Sequence, residues 1–82
     1  MEAQVGVIKH HYGKIGVAVV ELKEDLKVGD TIHIKGTHTD FQQKVMSMQI
    51  EHEKIESAKS GDSVGLKVEQ RVKEADKVYK VT

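Results

Sequence analysis

Lys59-Ser60-Gly61-Asp62-Ser63-Val64-Gly65-Leu66 is the stretch on which the reading of the fold depends. A Gly-Asp pair stands directly before an alternating run in which Val64, Leu66 and Val68 share one face. The same device occurs earlier. Leu26-Lys27-Val28-Gly29-Asp30 opens onto Thr31-Ile32-His33-Ile34-Lys35, where Ile32 and Ile34 share a face. Glycine accepts positive φ at no steric cost, and a following Asp bonds backbone amides through its carboxylate. Gly29-Asp30 and Gly61-Asp62 therefore predict sharp reversals that start the next strand in fixed register. Gly65, inside a strand, marks a place where another backbone approaches or the sheet bends. All five residues read as determinants of fold, not of chemistry.

Working outward, Gln4 to His10 alternates as a first strand, with Val5 and Val7 on one face. His11-Tyr12-Gly13-Lys14 reads as a turn, and Ile15 to Leu22 as an apolar strand. Phe41 to His52 reads as one long strand whose parity changes near Val45 and Met46, which predicts a β-bulge. Lys54 to Ala58 suits a short strand or crossing segment. Arg71 to Lys77 suits about one helical turn, and Val78 to Val81 a last strand. Six or seven short strands with evenly spaced turn signals favour a closed barrel over a sandwich. Closure also removes exposed edges.

Composition sets bounds. Eighty-two residues suit a single domain covering 1–82. There are no cysteines, which removes disulfides, thiolate metal ligands and thiol nucleophiles together. The 13 basic and 13 acidic residues cancel, which weighs against strong sequence-independent binding to nucleic acid. Arg71 is the lone arginine, so bidentate recognition of phosphate or guanine is largely absent. The first residues lack the apolar core of a secretory signal, and Ile15 to Val20 is far too short to span a bilayer. These features predict a cytoplasmic protein with no membrane partner.

Taken together, Val45 to Ile55, Ala58, and Gly61 to Leu66 resemble the middle and end of the second, β-barrel domain of translation elongation factors Tu and 1A. Gly13-Lys14-Ile15-Gly16-Val17, Val20-Glu21 and Leu26 to Asp30 resemble that domain's opening, in the same order. The resemblance covers nearly the whole chain and implies an all-β fold, a closed six-stranded Greek-key barrel. A similar barrel occurs as an appended domain in other RNA-related proteins, including the C-terminal part of some U32 peptidase-like enzymes that modify RNA. In the elongation factors the barrel helps hold the terminal adenosine of aminoacyl-tRNA. The positions that do so correspond here to Gln49, His52 and Ser63, which lack the family's charge pair. No phosphate-binding Gly-Lys-Ser/Thr loop is present, so GTP binding by this chain is not expected.

Other sites read weakly. His10 and His11 are neighbours and point to opposite faces of a strand, while His33, His38 and His52 come from separate segments, so no metal site is expected. Ser47, Ser57, Ser60 and Ser63 lack a nucleophile elbow, so no catalytic residue and no cofactor are expected. Lys9, His10, His11, Tyr12 and Lys14 form a basic and aromatic stretch, with Lys35 and His38 beside the next loop. Tyr12 is placed to stack on an unpaired base. The expectation is a non-catalytic, stand-alone, translation-factor-like barrel that binds tRNA or ribosomal RNA through these residues with Gln49, His52 and Ser63. The alternative is a protein-interaction module docking onto a separate GTPase or RNA-modifying enzyme.

Overall fold

The computed structural model describes residues 2–81, and all regular structure in them is β. The strands are β1 (Glu2–Tyr12), β2 (Val17–Leu22), β3 (Leu26–Lys27), β4 (Thr31–Lys35), β5 (Asp40–Lys44), β6 (Met48–Ile50), β7 (Glu53–Ile55), β8 (Ser57–Ala58), β9 (Ser63–Lys67) and β10 (Lys77–Val81). Eight form one antiparallel sheet in the order β5-β4-β10-β1-β2-β9-β6-β7, and β3 pairs with β8 separately. The inward positions of these strands make one core, including Ile8, Val20, Leu22, Ile32, Ile34, Met48, Val64, Leu66 and Val78. No helix among the described residues is long and apolar enough to cross a membrane.

The expected all-β class is present, but the closed six-stranded barrel is not. The ladder ends at β5 and β7, which do not pair with each other. The physical reason lies in the segment read as one long strand. Its first half, β5, pairs with β4, and its second half, β6, pairs with β9. Between them Val45 is buried at 1%, while Met46 is 48% exposed. The parity change at Val45 and Met46 therefore marks a crossing between two ends of a sheet and not a bulge within one strand. Gln43 bridges the gap. Its buried side-chain amide donates to the Lys67 carbonyl at 2.8 Å, and its carbonyl accepts from the Glu69 amide at 2.8 Å. A side chain does there what a ladder would do in a closed barrel.

Two smaller readings also change. The register of β1 shifts between Gln4 and Gly6, so Val5 and Ile8 point inward and Val7 lies half-buried. Arg71 to Lys77 contains no helical turn. It holds a β-turn in which the Asp76 amide donates to the Lys73 carbonyl at 3.1 Å and the Asp76 carboxylate accepts from the Lys73 amide at 2.8 Å.

That turn repeats the two Gly-Asp turns. The Asp30 carboxylate accepts from the Lys27 amide at 3.1 Å, and the Asp62 carboxylate accepts from the Lys59 amide at 3.0 Å. The backbone amides of both Asp residues return bonds to the same lysines' carbonyls, at 3.1 and 3.0 Å. Gly29 and Gly61 sit at φ 99° and 93°, and the matching position of the third turn is Ala75 at φ 72°. Three copies of one Lys-x-x-Asp turn thus set the starts of β4, β9 and β10.

Candidate functional site

The outward residues of β2, β9, β6 and β7 are the reverse of the core pattern: Val17 and Val19, then Ser63, Gly65 and Lys67, then Gln49, then Lys54. Strand register sets four of them in one row. Val19 pairs with Gly65, Gly65 with Gln49, and Gln49 with Lys54. A second row beside it runs from Tyr12 through Val17 to Lys67. Since Gly65 has no side chain, the first row is hollow at its centre. The result is a groove of about 630 Å3 running across the strands. Tyr12 and Ile15, 49% and 66% exposed, stand at one end, and Glu51, His52 and Lys54 at the other.

The far rim is a two-residue hairpin. Ile50 pairs with Glu53, leaving Glu51 and His52 as the loop, with φ of 52° and 69°. A two-residue turn with both φ values positive is normally built from Asn-Gly or similar pairs, because a Cβ is crowded in that conformation. Here two full side chains hold it. Gly65 gives a second departure from ordinary packing. Its φ is not in the left-handed range, and a Cβ built there meets nothing closer than Val17 Cγ1 at 3.4 Å and the Gln49 carbonyl at 3.7 Å. A Cβ there would thus stand at ordinary contact distance, and without one the groove floor is open at Gly65.

The structure brings together Tyr12, Gln49, His52 and Ser63 of the residues singled out in the sequence. It does not gather the basic stretch. Lys9 pairs with Glu21 at 3.2 Å, and His10 Nδ1 lies 3.3 Å from Glu74 Oε1. His10 also meets the Tyr12 ring edge-on at 4.3 Å. His11 is half-buried and lines a different hollow with Gly16 and Arg71. Lys14 is exposed on the turn after β1. Lys35 lies in another hollow with Gly36 and Asp76, and His38 is exposed in the loop before β5. Residues of β2 and the β7 lysine were missed because their outward position depends on which strands pair.

Acid–base groups of interest lie elsewhere. His33 on β4 bonds Glu2 Oε2 through Nδ1 at 2.7 Å and Asp40 through Nε2. The Asp40 and Glu2 hydrogen bonds raise the His33 pKa above its ordinary value of 6.5. The bond from His33 lowers that of Asp40 below 3.8. No group of three or more His, Asp or Glu side chains among the described residues is placed to hold a metal ion. No serine hydroxyl among them bonds a histidine.

Fold and groove define a small all-β domain that carries a groove on the outer face of its sheet. The chain belongs to the C-terminal domain family of peptidase family U32, whose model matches residues 3–77. It is 46% identical over 77 residues to the uncharacterized protease MJ0090 of Methanocaldococcus jannaschii, covering 93% of this chain and 19% of that one. It is 32% identical over 72 residues to a collagenase of Porphyromonas gingivalis, covering 85% and 20%. The chain thus spans about a fifth of the length of the curated relatives it matches. A crystal structure of the C-terminal domain of a Geobacillus thermoleovorans protein described as a U32 peptidase superposes with a TM-score of 0.89 at 18% identity, covering 95% of this chain and 91% of that one. Its selenomethionine variant superposes at 0.88, also at 18% identity, covering 93% and 96%.

These findings overturn the elongation-factor assignment, and with it the translation-factor-like RNA-binding role. The residues that carried the resemblance explain the error. Gly29-Asp30 and Gly61-Asp62 answer to backbone geometry, which any sheet needing the same turns imposes. They identify a way of starting strands, not a ligand.

Proposed function

We infer that this chain is a non-catalytic recognition module of a U32-type peptidase, which holds polypeptide for a catalytic region outside the described residues. The carrying observation is the groove over Gly65. It is open, mixed in polarity and bordered by exposed Tyr12 and Ile15. Such a surface suits binding, whereas hydrolysis needs a nucleophile held by a base or a metal held by several ligands. The names of the relatives, a protease and a collagenase, support polypeptide as the class of substrate.

The test has two arms. This chain alone is expected to leave gelatin and casein uncut while retaining labelled gelatin on a column. Grafted in place of the matching segment of the Porphyromonas gingivalis collagenase, it is expected to keep KM near the parent value. Deletion of that segment should raise KM with kcat little changed, the pattern of lost binding without lost chemistry. Hydrolysis by the chain alone, or a deletion that leaves KM unmoved, contradicts the reading.

A further inference from the structure

We propose that the groove takes an extended polypeptide segment lying across the strands, its backbone over Gly65, an apolar side chain toward Val17 and Val19, and a carboxylate toward Lys54 or Lys67. This rests on the recognition-module reading and goes beyond it by naming what is bound and in which direction.

Three independent observations lead there. The first is the glycine. A strand interior disfavours glycine on entropic grounds, and one found there often marks a bulge, a bend, or close approach of another backbone or a ligand. At this position a Cβ would meet Val17 Cγ1 at 3.4 Å and the Gln49 carbonyl at 3.7 Å, ordinary contact distances, so no group of this chain is close enough to demand glycine. The open groove above Gly65 is free to take a ligand's backbone. The second is the strained rim. Left-handed Glu51 and His52 are held against their preference at the groove's end, and strain of this kind concentrates at binding sites.

The third is shape and charge. The row from Val19 to Lys54 spans three strand spacings of about 4.8 Å each, roughly 14 Å, the reach of about four extended residues. Its β2 end is apolar and its β7 end cationic. Neither Lys54 nor Lys67 is in an ion pair among the described residues, whereas Lys9 and Lys80 are. Glu51 opposes them on the rim. Two free lysines with one carboxylate complement a single acidic side chain better than the dense charge of a nucleic acid, whose binding needs many uncompensated cations. Extended peptide, with charges spaced along a neutral backbone, meets all three conditions.

The probe is a fluorescein-labelled hexapeptide with leucine and glutamate three residues apart, followed by anisotropy and by amide chemical shifts of the 82-residue chain. Saturable binding in the micromolar range is expected, with the largest shifts at Val19, Gly65 and Gln49. Replacing the peptide's glutamate by lysine should weaken binding about tenfold, and Lys54→Glu should recover the lysine peptide. Shifts centred elsewhere, or indifference to both charge changes, overturn the proposal. Tighter binding of a single-stranded RNA hexamer at the same row overturns the choice of ligand. If the hexapeptide fails while the grafted chain still holds KM, this inference falls and the recognition-module reading stands.

Discussion

Apart from Gly16 in the turn between β1 and β2, left-handed backbone occurs in two kinds of place among the described residues, and the contrast separates scaffold from site. At the strand starts it belongs to the Lys-x-x-Asp turns, where Gly29 and Gly61 adopt it freely and each Asp returns two hydrogen bonds to its lysine. At the groove rim it belongs to Glu51 and His52, which have no glycine and no side-chain bond to backbone among the described residues. In the turns the conformation is relaxed and repeated. At the rim it is costly and occurs once, beside a groove whose floor is a glycine that packing does not demand. Ala75 lies between the two cases: strained like the rim, but anchored by a buried Asp76 as in the turns.

The largest effect expected is from breaking the third turn. Asp76→Ala removes the acceptor for the Lys73 amide and the filling against Gly36, and should cost about 2 kcal/mol in urea unfolding. Gly61→Ala comes next, at about 1–2 kcal/mol, entirely from backbone conformation because nothing lies within 4 Å of the added Cβ. At the rim the sign reverses. Glu51→Asn with His52→Gly should stabilise the fold by about 1 kcal/mol, measured by the same unfolding, while weakening peptide binding. Ala75→Gly should stabilise by about 0.5–1 kcal/mol and leave peptide binding unchanged, since it relieves strain remote from the groove.

The smallest effect is a pH dependence. His33 ties β4 to β1 and β5 through Glu2 and Asp40, with Lys35 nearby and Tyr79 paired to His33 from β10. Because the folded His33 pKa is raised, its contribution is complete below its unfolded value near 6.5 and is lost as pH rises through the folded value. Asp40 works oppositely: its lowered pKa contributes above 3.8 and is lost as pH falls through the folded value. The stability lost in His33→Gln should therefore be larger at about pH 5.5 than at about pH 8.5. An equal loss at both would remove the ionic part of this contact.

Much of the scaffold was legible because its determinants are local. Gly29-Asp30 and Gly61-Asp62 announce turns, and Val64, Leu66 and Val68 announce an inward face, without reference to the rest of the chain. The Lys73–Asp76 turn was missed because Ala75 stands where the other copies have glycine, and alanine gives no turn signal. The open end of the sheet was missed because Phe41 to His52 carries strand-like residues throughout. Only the partners of each half, β4 and β9, show that the chain crosses over. Gln49, His52 and Ser63, singled out together in the sequence, line one groove. Val19, Gly65 as a floor and Lys54 depend on cross-strand register, which no single segment encodes.

Gly65→Val puts the central claim to the most direct test, with the thermal midpoint and the hexapeptide dissociation constant measured on the same preparation. A ligand-keeping glycine predicts a midpoint equal to or above that of the parent, since valine suits a strand and its Cβ would meet Val17 at ordinary contact distance, together with a loss of affinity of about tenfold or more. A lowered midpoint with peptide binding intact would contradict it, and would make Gly65 one more piece of scaffold.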